Sequence, residues 1–106
     1  MSTCSTHVLD AALGVPAAGV RAVLLDPEGR QLTTATTDAD GRVRFDLELG
    51  GGDHGLVLAT GAYFAAAERD TLFPEVVLSF TVDPEQSHYH LALLLSPYSY
   101  TAYRGS

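Results

Sequence analysis

Apolar and polar residues alternate over several short stretches of the chain, a period that is typical of β-strands with one buried face. Between residues 43 and 49 every second position is apolar, and Arg44, Asp46 and Glu48 stand between them. Four further stretches are rich in branched and apolar residues and are predicted as strands: residues 21–26, 31–37, 56–60 and 76–82.

Turn-forming residues separate these strands. Residues 26–29 and 38–41 have the composition of tight hairpin connections, and the glycine-rich residues 50–53 predict a looser, more mobile loop. The alanine-rich residues 61–70 break the period of two and predict one short helix. The pattern as a whole predicts an all-β fold, a two-sheet β-sandwich of seven or eight strands with one short helix, in a single domain over residues 1–106.

Residues 88–95 predict a strand with two unlike faces. The odd positions carry tyrosine and leucine and suit the core. The even positions are His88, His90, Ala92 and Leu94. An antiparallel sheet in a monomer would place polar residues on that second face. We therefore expect another subunit to cover it, with the histidines at the edge of the covered zone.

Composition and charge narrow the class of protein. The net charge of −7 argues against nucleic acid or an anionic membrane as a partner. All six cations are arginines, and the absence of lysine excludes Schiff-base chemistry and a P-loop. No apolar stretch approaches the roughly 20 residues of a membrane span, and no secretory signal is visible, so we expect a cytoplasmic protein.

We expect no catalytic role for Cys4 or His54. Cys4 is the only cysteine, which excludes an intrachain disulfide, and we expect a half-buried residue near a strand start rather than a nucleophile. His54 is assigned to the glycine-rich loop and is expected to be solvent-exposed.

Histidines and arginines are the candidates for chemistry. His88 and His90 would lie on one side of a strand, either packed or solvated, or as two ligands of a metal with His7 as a third. His7 belongs to an edge-like strand predicted over residues 6–9. Arg42 and Arg44 both follow the 38–41 turn, and periodicity does not choose between them.

The last residues are unusually rich in leucine and tyrosine. Because such side chains bury large areas, a tail built from them is expected to be docked rather than loose. The terminal Tyr103-Arg104-Gly105-Ser106 places an arginine in that docked tail. We therefore expect the tail to form part of a site.

Four segments together resemble the hydrolase branch of the transthyretin family, which acts on 5-hydroxyisourate. They are THVLD at 6–10, DADGR at 38–42, HYHLALLLSP at 88–97 and YRGS at 103–106. Shorter matches at residues 16–20, 60–64 and 73–76 extend the resemblance over essentially the whole chain. The resemblance implies a two-sheet sandwich that assembles as a homotetramer, a dimer of dimers, with active sites where the dimers meet.

The resemblance also implies a reaction and its residues. The catalytic groups would be His7, Arg42 and His90, and the substrate-binding residues would be His88, Tyr103, Arg104, Gly105 and Ser106. The implied reaction is hydrolytic opening of 5-hydroxyisourate to 2-oxo-4-hydroxy-4-carboxy-5-ureidoimidazoline in urate degradation, with no metal or cofactor. Histidines would activate water, and arginines would hold the ring and stabilise the oxyanion.

Three rival interpretations remain open. The sister branch of the family carries small aromatic molecules, so the chain could be a binding protein. A metal-dependent hydrolase that uses His7, His88 and His90 is the second, and a structural interaction domain is the third. The chain also departs from the family's usual residues at position 92, an alanine in place of proline, and at positions 101–102.

Overall fold

The computed structural model describes residues 1–105, which form two sheets around one apolar core. The elements are β1 (Ser2–Asp10), β2 (Val15–Pro16), β3 (Arg21–Leu25), β4 (Gln31–Thr36), β5 (Arg42–Leu49), β6 (Gly52–Leu58), α1 (Thr60–Ala66), β7 (Val76–Val82), β8 (His88–Ser96) and β9 (Ser99–Gly105). One sheet has the order β5-β1-β8-β9, with β2 also paired to β1, and the other has the order β4-β3-β6-β7. The predicted two-sheet sandwich is confirmed. Residues 1–105 contain nine strands instead of the predicted seven or eight, since they include the two-residue strand β2 and the tail strand β9.

The core is built from one face of each sheet. Leu24, Leu56 and Leu93 are fully buried between the sheets, and each such side chain contributes roughly 1.5–3 kcal/mol through its burial. Cys4 lies among them with no exposed surface, so the prediction of a half-buried residue was wrong. Burial raises the pKa of its thiol to about 12, which keeps the thiol protonated and unreactive.

β1 is an interior strand, so the prediction of an edge-like strand over residues 6–9 was wrong. It lies between β5, which runs antiparallel to it, and β8, which runs parallel. Its core-facing positions include the polar Ser2, Thr6 and Asp10, all fully buried. Because these residues are polar, the pattern of hydrophobic positions did not indicate that the strand is buried. Thr6 Oγ1 meets its hydrogen-bonding need by donating to the Leu91 carbonyl of β8 at 2.8 Å.

The predicted mobile loop at 50–53 is partly strand, because β6 begins at Gly52. His54 is only 4% exposed, which contradicts the prediction of a solvent-exposed residue. Its position has the same parity as the core residues Leu56 and Leu58, so the strand turns its ring inward, 6.0 Å from the ring of Phe80.

The helix α1 is shorter than the predicted 61–70 because it is closed at its C-terminal end. Glu68 adopts a left-handed conformation with φ 57°, and the next N–H, of Arg69, bonds back to the Phe64 carbonyl at 2.9 Å. This is a Schellman closure with glutamate in the position where glycine is most common. Neither α1 nor any other described segment is a helix long and apolar enough to cross a membrane.

The helix closure delivers Arg69 to the buried end of β1. Arg69 Nη1 lies 2.6 Å from Asp10 Oδ2, and Tyr63 donates to the same oxygen at 2.8 Å. Burial alone would raise the pKa of Asp10, but the hydrogen bonds from Arg69, Tyr63 and the Leu13 N–H outweigh it, so the pKa is lowered below 3.8. The ionised carboxylate therefore ties β1 to the helix.

Replacing Arg69 by alanine is expected to lower the free energy of unfolding by about 3 kcal/mol, because Asp10 would keep a buried, unpaired charge. Urea denaturation measures the loss, and Arg30→Ala, at the exposed position directly after the 26–29 turn, is the matched control. In the wild type this contribution is present above pH 4 and disappears as the pH falls through the lowered pKa of Asp10. Equal stability of the two variants would contradict a structural role for this pair.

Candidate active site

The sheet that contains β1 and β8 carries polar side chains on the face turned away from the core, here called the outer face. Residues paired across neighbouring strands lie on the same face. His7 of β1 pairs with Arg42 of β5, and Ser5 pairs with Arg44. The outer face comprises Thr3, Ser5, His7, Arg42, Arg44, His88, His90 and Tyr103.

The two expected catalytic histidines are neighbours on this face. The ring centroids of His7 and His90 are 6.4 Å apart. Beside them lies a cavity of about 310 Å³, with Ser5, Thr6, Asp38, Arg42, Val43, Arg44 and His90 as its lining. Arg42 and Arg44 both border this cavity, so the structure brings together two cations between which the sequence pattern did not choose.

The 38–41 turn fixes the position of Arg42. Asp38 Oδ1 accepts hydrogen bonds from the backbone N–H of Asp40 at 2.9 Å and of Arg42 at 3.0 Å. Gly41 has φ +74°, and a Cβ there would stand 2.3 Å from the carbonyl oxygen of Val8. Only glycine allows the turn to approach β1 this closely, which places Arg42 next to His7.

His90 is held as a neutral imidazole. Burial lowers its pKa below 6.5, and the positive charge of Arg42 lowers it further, with smaller contributions from His7 and His88. A neutral imidazole beside a guanidinium can accept a proton from water while the arginine faces developing negative charge. Such an arrangement can support hydrolysis of a carbonyl compound.

The C-terminal tail is docked, as predicted. β9 pairs antiparallel with β8, and Gly105 stands opposite His90 while Tyr103 stands opposite Ala92. A Cβ on Gly105 would lie 2.5 Å from Cδ2 of His90, so this glycine leaves the space that the imidazole ring occupies. Tyr103 is half-exposed on the outer face, and Ser106 lies outside the described residues.

Arg104 lies on the opposite face of β9 from Tyr103. Its guanidinium stands 4.5 Å above the ring of Tyr89 and donates to the His88 carbonyl at 3.2 Å. Within one chain it therefore does not join Arg42, and it borders a second cavity of about 440 Å³ between β7 and β9. That cavity has a mostly apolar lining and no histidine, so we place the candidate site in the smaller cavity on the outer face.

Sequence reasoning missed two hydroxyl residues of the outer face. Thr3 and Ser5 form hydrogen bonds with His88 and His90. The signal was present, because Thr3, Ser5 and His7 occupy alternate positions of one strand and must share a face.

The metal hypothesis had named three histidines. In residues 1–105 no three histidine, cysteine, aspartate or glutamate side chains converge as a metal would need. His88 instead bonds through both ring nitrogens to Thr3 and Ser5. These contacts favour a hydrogen-bonded role for His88.

Comparisons with known proteins identify the family and the fold. The family model described as the HIUase/Transthyretin family matches residues 4–105. A 5-hydroxyisourate hydrolase of Salmonella dublin is 42% identical in an alignment of 108 positions that covers 96% of this chain and 79% of that protein. The solved structure of the 5-hydroxyisourate hydrolase of Klebsiella pneumoniae superposes with a TM-score of 0.92 at 40% identity, over 100% of this chain and 94% of that one.

A transthyretin is similar in fold but more distant in sequence. Sea bream transthyretin, solved in complex with thyroxine, superposes with a TM-score of 0.89 at 30% identity and covers 96% of this chain and 93% of that one. The family model spans nearly the whole chain, and the hydrolase relatives are about 40% identical over their shared length. The chain therefore belongs to the HIUase/Transthyretin family.

Proposed function

We propose that this chain is a hydrolase that opens the ring of 5-hydroxyisourate to 2-oxo-4-hydroxy-4-carboxy-5-ureidoimidazoline in urate degradation. The observation that carries the proposal is the meeting of His7, His90 and Arg42 on one face, with His90 kept neutral. A carrier needs no proton acceptor beside an arginine. The 42% identity to a relative that bears the hydrolase name supports the same assignment.

The reaction adds one water molecule across a ring C–N bond. As the water oxygen attacks the ring carbonyl carbon, one imidazole of the His7 and His90 pair takes its proton while the other orients the water, a contribution of about 10²–10⁴ in rate. The carbonyl electron pair moves onto oxygen, where Arg42 stabilises the charge. When the tetrahedral intermediate collapses, the C–N bond breaks and the protonated imidazole returns its proton to the leaving nitrogen. Atoms and charge balance without a cofactor.

The pH dependence of kcat/KM is expected to show an acidic limb below pH 6.5. The active imidazole of His90 is neutral above its lowered pKa, so activity is lost as the pH falls through that value. Removing the positive charge of Arg42 raises this pKa, so Arg42→Ala should move the limb to higher pH as well as lower the rate. A flat profile between about pH 5 and 8 would contradict the role of the histidines.

Gly105→Ala is expected to reduce kcat by about 10²-fold, because the new methyl group occupies the space of the His90 ring and displaces it. The matched control is Gly50→Ala, where a Cβ meets nothing within 4 Å. Thermal unfolding checks that both variants remain folded. Full activity of Gly105→Ala would show that the tail does not set the position of His90.

The proposed form of the enzyme is a cytoplasmic homotetramer. In the chain alone, β7 and β9 end their sheets with unpaired edges, and Val77 and Tyr100 are exposed there. Pairing of such edges between copies would join two chains. Leu94 is partly exposed on the outer face. We propose that two dimers meet on this face and cover it. Sedimentation equilibrium that gave the mass of a monomer would contradict this assembly.

The function is tested by producing 5-hydroxyisourate with urate oxidase and following its ultraviolet absorbance. We expect the signal to decay faster in the presence of the chain than spontaneously. A chelator separates the metal-dependent alternative, because activity that is lost with the chelator and restored by zinc would favour it. No effect on the decay would overturn the proposed function.

A further inference from the structure

Four side chains of the outer face form a continuous series of hydrogen bonds behind the candidate base. Thr3 Oγ1 lies 2.6 Å from His88 Nδ1, and Ser5 Oγ lies 2.8 Å from His88 Nε2. The same Ser5 Oγ lies 2.7 Å from His90 Nδ1. The series therefore runs Thr3, His88, Ser5, His90, and it ends at the ring nitrogen of His90 that lies against β1.

The first member of the series fixes its direction. Thr3 Oγ1 also lies 3.3 Å from the carbonyl oxygen of Ser87, which can only accept a hydrogen bond. We assign the hydroxyl proton of Thr3 to this carbonyl, so that Thr3 Oγ1 accepts from His88 and His88 carries its proton on Nδ1.

The remaining protons follow from the donor count. A neutral His88 protonated on Nδ1 presents Nε2 as an acceptor, so the Ser5 hydroxyl donates to it. Ser5 Oγ is then an acceptor toward His90, which must carry its proton on Nδ1. The lone pair of His90 is consequently left on Nε2, the only ring nitrogen that can take a proton from water.

We propose that Thr3, His88 and Ser5 are positioning residues that select the Nδ1-protonated tautomer of His90 and thereby create its basic Nε2. The kinetic part of this inference rests on the proposed hydrolase function, whereas the tautomer itself does not. The series also gives His88 a role, because both of its ring nitrogens form hydrogen bonds with hydroxyl groups. When His90 becomes protonated, the Ser5 oxygen continues to accept from Nδ1 and stabilises the cation.

The most discriminating variant is Thr3→Val, which keeps the shape of the side chain and removes the hydroxyl. Without an acceptor at Nδ1, His88 should protonate on Nε2 and donate to Ser5. Ser5 then donates to His90 Nδ1, and His90 becomes protonated on Nε2. One substitution at the far end of the series is thus expected to invert the tautomer of a residue that it does not touch.

Long-range ¹H–¹⁵N correlation spectra of the ¹⁵N-labelled full chain at about pH 8, where imidazoles are neutral, report these tautomers directly. The His90 signals are assigned by comparison with His90→Gln. We expect His90 to be protonated on Nδ1 in the wild type and in Ser5→Thr, and on Nε2 in Thr3→Val. In Ser5→Ala the preference for Nδ1 should be lost. Thr36→Val, on the exposed β4 of the other sheet, is the matched control and should change nothing.

Kinetics provide the second measurement. Thr3→Val and Ser5→Ala should lower kcat by roughly 10- to 100-fold with little change in KM, less than the ~10⁴ lost when a catalytic histidine is held in the wrong tautomer. Ser5→Thr, which keeps the hydroxyl group, should lower kcat less than Ser5→Ala. If Thr3→Val does not fold, the Ser5→Ala and Ser5→Thr pair decides the question alone.

Two results would overturn the inference. One is a wild-type His90 protonated on Nε2, and the other is a His90 tautomer unchanged in Thr3→Val and Ser5→Ala. The spectra need no substrate. A failure of the proposed hydrolase function would therefore leave the tautomer result decisive, and the two failures remain distinguishable.

Discussion

Replacing His90 by glutamine is expected to lower kcat by about 10²–10⁴, the range typical for loss of a general base. Glutamine fills a similar volume and can still bond to Ser5, so the strand pairing of β8 with β1 and β9 should remain. What is lost is a group that can accept a proton near neutral pH. Steady-state kinetics with an unchanged unfolding temperature would separate this loss of chemistry from a loss of fold.

The neighbouring His7 allows a stricter version of this experiment. Because the two rings are 6.4 Å apart and share the task of activating water, their effects should not add. We expect His7→Gln/His90→Gln to cost little more than the worse single variant, as for groups that act as a unit. A His90→Gln variant within about threefold of wild-type kcat would remove His90 from the proton transfer.

Replacing Arg42 by alanine is expected to reduce kcat by about 10²–10³, which is the usual cost of removing one fixed donor from an oxyanion. KM should change less than kcat, because the charge on the substrate oxygen develops only as water attacks. Arg42→Lys should not restore the rate, since a single ammonium group lacks the planar pair of donors that a flat, oxygen-rich ring can meet.

The chain provides a matched control on the same strand. Arg44 lies on the outer face, borders the same cavity and is also exposed to solvent, but it stands opposite Ser5 instead of His7. We expect Arg44→Ala to have a smaller effect on kcat than Arg42→Ala. The reverse order would assign oxyanion stabilisation to Arg44 and contradict the choice that the family resemblance makes.

Strands with a clear period of two could be predicted closely. The bounds of β7 agree with the prediction, and those of β3, β4, β5 and β8 differ by one residue at one end. β1 was harder, because its buried face contains serine, threonine and aspartate that are satisfied by partners distant in sequence. Its parallel pairing with β8 joins residues more than 80 positions apart, a contact that no local pattern encodes.

The sequence could predict which strands carry the candidate residues, but less of how these residues are arranged. Period two placed His88 and His90 together, and the resemblance added His7 and Arg42 from other strands. The face on which Arg104 lies could not be derived, because it depends on the register of β9 against β8. The prediction that His54 is exposed was wrong for a similar reason. The glycine-rich composition suggested a loop, whereas pairing with β7 extends β6 through this position.

A hydrolase turns over 5-hydroxyisourate, whereas a carrier only binds it. Turnover is tested by adding the chain to a large molar excess of freshly formed 5-hydroxyisourate and following the ultraviolet absorbance of the substrate. We expect all the substrate to be consumed, at a rate proportional to the concentration of the chain. Decay at the spontaneous rate, or a change limited to one substrate molecule per chain as for a carrier, would contradict this expectation.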